Sequence, residues 1–193
     1  MISLWLVLAV LAQTGSPSSP APMKENRAPV AAQPAPANQP SSPEVDRLFA
    51  IAATQGGNAE IDMAELAVKR GSANEIKGYA SKMIAEHKGL MEEMMPVLQR
   101  LASNPPAERL APPDELAKRH LEAVKPVDFD QVYIMEQIGG HLAMLTAFQT
   151  EADNGTDAQL KELVRKWMPT IEAHLQLAVD TAKHVGGASP FKQ

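Results

Sequence analysis

Hydrophobic residues recur at steps of three and four positions in four long segments of the chain, the spacing that one face of an amphipathic α-helix requires. Each segment is about 25–30 residues long and is bounded by residues that commonly start or stop helices. The segments lie at roughly 42–71, 72–104, 128–155 and 156–187. The pattern therefore predicts four long α-helices.

The starts of these helices carry capping signals. Ser42 supplies a hydroxyl directly before Pro43, and this order is typical of a helix start. The other three helices are predicted to begin at a capping box, in which Ser, Thr or Asp is followed three positions later by Glu or Gln. The three boxes are Ser72 with Glu75, Asp128 with Gln131 and Thr156 with Gln159. Pro96 and Pro169 are expected to kink or interrupt the second and fourth helices.

Short connections join the helices in pairs, with tight turns predicted at Gly71 and Gly155. The connection over 104–127 is long and rich in proline, and we expect a short helix in it near Asp114 to Val124. A connection of that length can cross a bundle from end to end, as it does in ferritin-like folds. The predicted fold class is all-α, a ferritin-like four-helix bundle over 43–187. The similarity of Met83–Met91 (MIAEHKGLM) to Gln137–Leu145 (QIGGHLAML) suggests two related helical hairpins.

The composition narrows the function classes. Of the 193 residues 45% are hydrophobic and only 4% aromatic, with 10 methionines, so we expect a helical core of Leu, Ala, Ile and Met. The absence of cysteine excludes thiolate metal sites and thiol catalysis. The net charge is −5 without any basic run, which argues against nucleic-acid binding. No nucleophilic triad or phosphate-binding loop is present, so nothing supports an enzyme, and no organic cofactor is expected.

The N-terminal part of the chain is predicted to serve export. Ile2 to Ala12 is an apolar run of signal-peptide length, so residues 1–12 are interpreted as a signal peptide, with an uncleaved membrane tether as the alternative. Residues 13–42 are rich in Pro, Ala and Ser and predict a disordered spacer, and 188–193 a flexible tail. We expect an exported or periplasmic protein, without a transmembrane domain once mature, that meets an envelope partner.

Three histidines lie on the apolar stripes of three different helices: His87, His141 and His174. Burying an imidazole is unfavourable unless it is hydrogen-bonded or ligated. At about 1.5 Å per residue from the two tight turns, all three fall near the middle of the bundle. Glu60 on the first helix lies at a similar depth and is also expected to face inward.

A transition-metal site and a metal-free core are the two interpretations of this pattern. Three imidazoles with Glu60 or water as a fourth ligand suit zinc, iron or copper. A di-iron centre is a poor fit, because isoleucine stands three residues before each histidine, where such sites need glutamate.

Methionines on the same stripes would suit cuprous copper, although methionine is also an ordinary core residue: Met83, Met91, Met94 and Met144. In the alternative, the protein is a metal-free cell-envelope interaction or stress-related module, and the histidines form a buried hydrogen-bond network. Tyr133 is expected to pack with its hydroxyl satisfied, and His120 and His184 to lie on the surface.

Four segments resemble the bacterial family called domain of unknown function 4142: Ala52–Ala67, Ile76–His87, Asp128–His141 and Trp167–Ala178. The resemblance covers roughly Pro43 to Gly186. It implies an exported, all-helical, ferritin-like domain without an established activity. Its recurrent inward positions match Glu60, Met83, His87, Phe129, Tyr133, His141, Pro169 and His174. The chain departs from many members at Glu86, where they carry aspartate, a change expected to matter little.

Overall fold

The computed structural model describes residues 42–102 and 110–185, and within these ranges the chain is helical, without a β-strand. The helices are α1 (Pro43–Arg70), α2 (Asn74–Leu101), α3 (Pro112–Ala123), α4 (Pro126–Asn154) and α5 (Ala158–Val185). The predicted all-α class is therefore confirmed. The predicted signal peptide, spacer and tail lie outside the described residues, apart from Ser42.

The start of α1 follows the sequence prediction. The Ser42 hydroxyl accepts a hydrogen bond from the Glu44 backbone N–H at 3.2 Å, and Pro43 occupies the first helical position. Pro43 fits there because the first turn needs no donor from it. The other end of α1 is also as predicted, since the helix stops at Gly71.

The three predicted capping boxes are wrong. Helix α2 starts after Ala73 without a side-chain cap, and α4 starts at Pro126, which places Asp128 inside its first turn. Helix α5 starts at Ala158, and the Leu160 N–H bonds to the Asp157 carboxylate at 2.9 Å. Ser72 and Thr156 do not cap their own helices, because their hydroxyls are engaged by aspartates of the other helical pair.

Each turn between paired helices is held by an aspartate from the start of the other pair. Asp130 on α4 accepts hydrogen bonds from the Ser72 hydroxyl and the backbone N–H groups of Ser72 and Ala73, at 2.5–3.2 Å. Asp46 on α1 binds Thr156 and Asp157 in the same way, at 2.5–3.1 Å. We call these two sets of contacts the aspartate clamps.

The clamps show how the two helical pairs correspond. Asp130 follows Asp46 by as many residues as Thr156 follows Ser72 and Gly155 follows Gly71. Helix α1 therefore corresponds to α4, and α2 to α5. The nonapeptide similarity noted in the sequence aligns α2 with α4 instead, so it does not mark equivalent helices.

The long helices pack edge to edge around a shared interior. Helix α1 packs against α2 and α4, and α5 packs against α4 and α2, while α3 lies over α1 and α4. The expected interruption at Pro169 is wrong, because α5 continues through it, and Pro96 also lies inside a continuous α2. Among the described residues, no helix is long and apolar enough to cross a membrane.

Candidate metal centre

The three predicted histidines meet inside the helical domain. His87 from α2, His141 from α4 and His174 from α5 are 5%, 1% and 1% exposed. The distances between their ring centroids are 5.6 Å for His87 and His141, 5.2 Å for His87 and His174, and 5.4 Å for His141 and His174. Each ring offers a nitrogen within 4.8 Å of those of the other two. The sequence prediction that they converge is confirmed.

The histidines form a polar layer between two apolar clusters. One cluster holds Ile76, Tyr79, Phe129 and Tyr133, and the other holds Phe49, Met94, Phe148 and Leu160, each with their neighbours. On α2, α4 and α5 the histidine lies at the position where the chain passes from one cluster to the other. Apolar packing on both sides fixes the depth of the three rings.

Two of the rings have one hydrogen-bonded nitrogen and one bare nitrogen. His141 Nδ1 lies 2.9 Å from the Gln137 carbonyl oxygen, and His174 Nε2 lies 2.5 Å from Glu86 Oε2. A carbonyl and a carboxylate only accept, so these ring nitrogens carry the proton. The opposite nitrogens, His141 Nε2 and His174 Nδ1, therefore carry lone pairs and have no hydrogen-bond partner among the described residues. This is the tautomer that a metal-ligating histidine needs.

His87 is the least satisfied of the three rings. Neither of its nitrogens has a hydrogen-bond partner among the described residues. Burial, with smaller effects from the neighbouring histidines, lowers the pKa of His87 to about 3, and burial lowers that of His141 to about 4. Burial also lowers the pKa of His174, although Glu86 opposes this. The imidazoles are therefore neutral at neutral pH, the form that binds metal ions.

Glu86 is a residue of the candidate site that sequence reasoning missed. It precedes His87 on α2, and its carboxylate reaches across to His174 on α5, while also pairing with Lys82. A carboxylate in this position orients a metal-ligating imidazole and raises its basicity. The signal in the sequence was the acidic residue beside a helical histidine, but nothing local indicates that it serves a histidine of another helix.

Glu60 is buried as predicted, but it lies beside the three-histidine group. Its Oε1 is 3.9 Å from His141 Nδ1, the nitrogen that donates to Gln137, and its Oε2 has no hydrogen-bond partner among the described residues. Burial raises the pKa of Glu60 to about 8. The Gln137 side chain acts to lower this pKa, and the negative charge of Asp114 acts to raise it further. Gly140 leaves room for this carboxyl, because a Cβ there would lie 2.9 Å from Oε1.

The nitrogen atoms suit a metal ion after a small contraction. Tetrahedral zinc with Zn–N bonds of about 2.0–2.1 Å places its ligand nitrogens about 3.3 Å apart. The separations of up to 4.8 Å are wider. Metal binding therefore requires the rings to move inward by about 1 Å. The three neutral nitrogen ligands favour zinc, copper or iron over magnesium or calcium, which prefer oxygen.

A cavity of about 480 Å³ leads from the surface between α1 and α4 to the histidine layer. Its walls include Gly56, Gly57 and Gly140, and His87, His141 and Glu60 line it as well. The cavity therefore reaches two of the three histidines, His87 and His141.

The other side chains predicted near the site are mostly structural. Met83, Met91 and Met94 are buried in the apolar clusters, and Met144 lines the cavity. The expectation for Tyr133 is wrong in one respect: the ring is fully buried, but its hydroxyl has no partner among the described residues. His120 and His184 are exposed, as expected.

Comparison with known proteins gives one match. The model of the family described as Domain of unknown function (DUF4142) matches residues 31–181. No curated protein and no solved structure matches the chain.

Proposed function

The chain belongs to the DUF4142 family, and from that premise we propose that it binds one transition metal ion through His87, His141 and His174. One observation carries the proposal: three buried imidazoles from three helices each offer a nitrogen within 4.8 Å of the others, and each ring has a nitrogen without a hydrogen-bond partner among the described residues. Three bare nitrogens, one on each ring, are buried without a protein partner among the described residues, which is unfavourable unless something ligates them.

Zinc or copper suits the three-nitrogen donor set best, and iron is the third option. Three protein ligands leave a coordination position that a small molecule or Glu60 can take. The role we propose is storage, buffering or structural stabilisation in an exported, ferritin-like four-helix domain. The helix packing order and the long connection through α3 support that fold assignment. The apolar run at Ile2 to Ala12 supports export.

The alternative is a metal-free envelope module whose histidines form a hydrogen-bond network. The geometry favours the metal, since His87 makes no hydrogen bond with the other described residues and the three rings do not bond one another. Glu86 with His174 is a ligand-orienting pair in the first interpretation and an isolated hydrogen bond in the second.

Cobalt titration of the full chain, after a chelator has removed any bound metal, tests the proposal, because tetrahedral Co²⁺ absorbs strongly in the visible region and reports its ligands. We expect saturation at one ion per chain, and loss of the band in His87→Ala. His120→Ala, which changes an exposed histidine, serves as the control and should titrate like the parent. A parent chain that develops no band with cobalt and is not stabilised by zinc would contradict the proposal.

A further inference from the structure

The cavity between α1 and α4 has walls that suit an aliphatic chain. The described residues that line it are mainly small or aliphatic, among them Ala52, Ala53, Ala143, Ala147 and Ile171. Its volume of about 480 Å³ lies within the range of small-molecule pockets. Leu48, which is 54% exposed, stands at its outer edge, so the opening faces solvent.

The polar groups lie mainly at the inner end and at the side covered by α3. His87, His141 and Glu60 are buried at the inner end, and Asp114 of α3 lies at the covered side. Asp114 is close enough to Glu60 for its charge to act on that carboxyl. The cavity is therefore an apolar passage with an acidic and imidazole-lined end.

These polar groups define the chemistry of a ligand. No lysine or arginine occurs among the described residues that line the cavity. A cation close to Glu60 and Asp114 stabilises their carboxylate forms, which burial disfavours in the ligand-free chain. Each neutral imidazole offers one nitrogen that accepts a hydrogen bond. Glu60 Oε2 and both nitrogens of His87 are buried without a partner among the described residues. A ligand that donates several hydrogen bonds, carries positive charge and has an apolar chain can bond Glu60 Oε2 and the unprotonated nitrogen of His87 and cover the apolar walls.

We infer that this cavity binds a primary aliphatic amine, with its chain along α1 and α4 and its nitrogen donating to Glu60 and His87. An aliphatic carboxylate meets two acidic side chains and no basic one, and an alcohol has a single proton to donate. The inference goes beyond the proposed metal site. An ion bound to His87 uses the same lone pair, so the metal and the amine compete for the inner end.

Calorimetric titration of the full chain, dialysed against a chelator so that no metal is bound, tests the inference, using octylamine, octanoate and octan-1-ol as probes. Octylamine is expected to bind once per chain, with a Kd at least about tenfold below those of the other two probes, as a charged hydrogen bond to a buried group provides. Equal binding of octanoate or octan-1-ol, or no binding of octylamine, overturns the inference.

Two matched pairs of variants locate the ligand. Glu60→Gln is expected to weaken octylamine binding about tenfold, whereas Glu65→Gln, an exposed carboxylate on the same helix, leaves it unchanged. Ala143→Phe fills the mouth of the cavity and also weakens binding, by about tenfold if two methylenes lose their burial. Leu142→Phe changes the neighbouring exposed residue, which does not line this cavity, and is expected to bind normally. Unfolding curves of all four variants confirm that they fold. Folded Glu60→Gln and Ala143→Phe variants that bind like the parent overturn the inference.

Discussion

His141 and His174 each make one hydrogen bond through a ring nitrogen. That bond determines which nitrogen carries the proton and which has a free lone pair. The Gln137 carbonyl and the Glu86 carboxylate each hold the proton on one ring nitrogen, which leaves the other nitrogen bare. His87 has no such partner among the described residues, so either of its two nitrogens can carry the proton. Loss of Glu86 therefore tests most directly whether His174 is a positioned metal ligand or only a buried histidine.

Replacing Glu86 by alanine is expected to weaken metal binding about 10- to 100-fold, the usual effect of losing a carboxylate that orients a ligating histidine. Competition with a chelator of known affinity measures the change. Glu93→Ala is the matched control, because Glu93 also joins α2 to α5, through Lys166 and Trp167, without touching a histidine. Equal affinities in the two variants would show that Glu86 has no role in ligation.

Two glycines are expected to respond to alanine in opposite directions. Gly139 lies inside α4 with open space around it, so Gly139→Ala should stabilise the fold by about 0.5–1 kcal/mol through helix propensity. At Gly155 a Cβ would lie 1.9 Å from Glu151 Oε1 and 2.7 Å from its backbone oxygen, so Gly155→Ala should destabilise the fold by more than about 1 kcal/mol. Urea unfolding at neutral pH measures both changes, and a destabilised Gly139→Ala would contradict the first.

Residue-level prediction from the sequence succeeded where the helical stripe decides the direction of a side chain. Glu60, His87, His141 and His174 all proved buried, because three- and four-residue periodicity fixes the face of a helix. Glu86 was not predicted because it lies off that stripe and its long side chain reaches a histidine of another helix. The lack of a partner for the Tyr133 hydroxyl was not predicted for a related reason, because the residues around it come from other helices.

Among the helices and turns, the two aspartate clamps hold equivalent turns, but the clamp at Asp46 has an additional buried carboxyl group, that of Glu151. Glu151 is fully buried beside Asp46, and alanine stands at the corresponding position of the other pair, Ala67. Burial, together with a hydrogen bond to Asp46 and its charge, raises the pKa of Glu151 to about 8. Burial acts to raise the pKa of Asp46 too, but hydrogen bonds from Thr156 and Asp157 outweigh it and lower that pKa. Glu151 is therefore the protonated partner.

This arrangement predicts a loss of stability towards alkaline pH. The folded chain keeps a proton on Glu151 that the unfolded chain, with a pKa near 4.5, releases. The contribution of Glu151 to the free energy of unfolding therefore falls as the pH rises from about 4.5 to about 8. Glu151→Gln keeps a donor to Asp46 but does not titrate, so its stability should fall less over that window. Urea midpoints across this pH range test the claim, with Glu172→Gln, an exposed carboxyl on α5, as control. Parallel curves for Glu151→Gln and the parent would contradict it.

The helices themselves were predictable from the sequence, but most of their starts were not. Periodicity and the glycine stops placed the long helices and the short α3 close to where they lie. The capping boxes failed because Ser72 and Thr156 bind Asp130 and Asp46, contacts between residues far apart in the chain. A capping box is a local rule, and long-range hydrogen bonds override it.

Across the whole molecule, the helical pairs place a polar layer between two apolar clusters and leave a cavity open to it. The all-helical class and the convergence of three histidines followed from pattern and depth alone. The cavity did not, because its small wall residues come from two helices whose contact the sequence does not specify. A metal ion that holds α2, α4 and α5 together would stabilise the folded state by mass action.

The central claim is that one metal ion is bound by the three buried histidines. Elemental analysis of the full chain, purified without a metal-affinity resin, tests it most directly. Two variants on α5 give a matched pair: His174→Ala removes a buried ligand, and His184→Ala removes an exposed histidine that bonds its own helix. The account predicts about one ion per chain in the parent and in His184→Ala, and less than about a tenth of that in His174→Ala. A parent without bound metal, or equal metal in both variants, would contradict it.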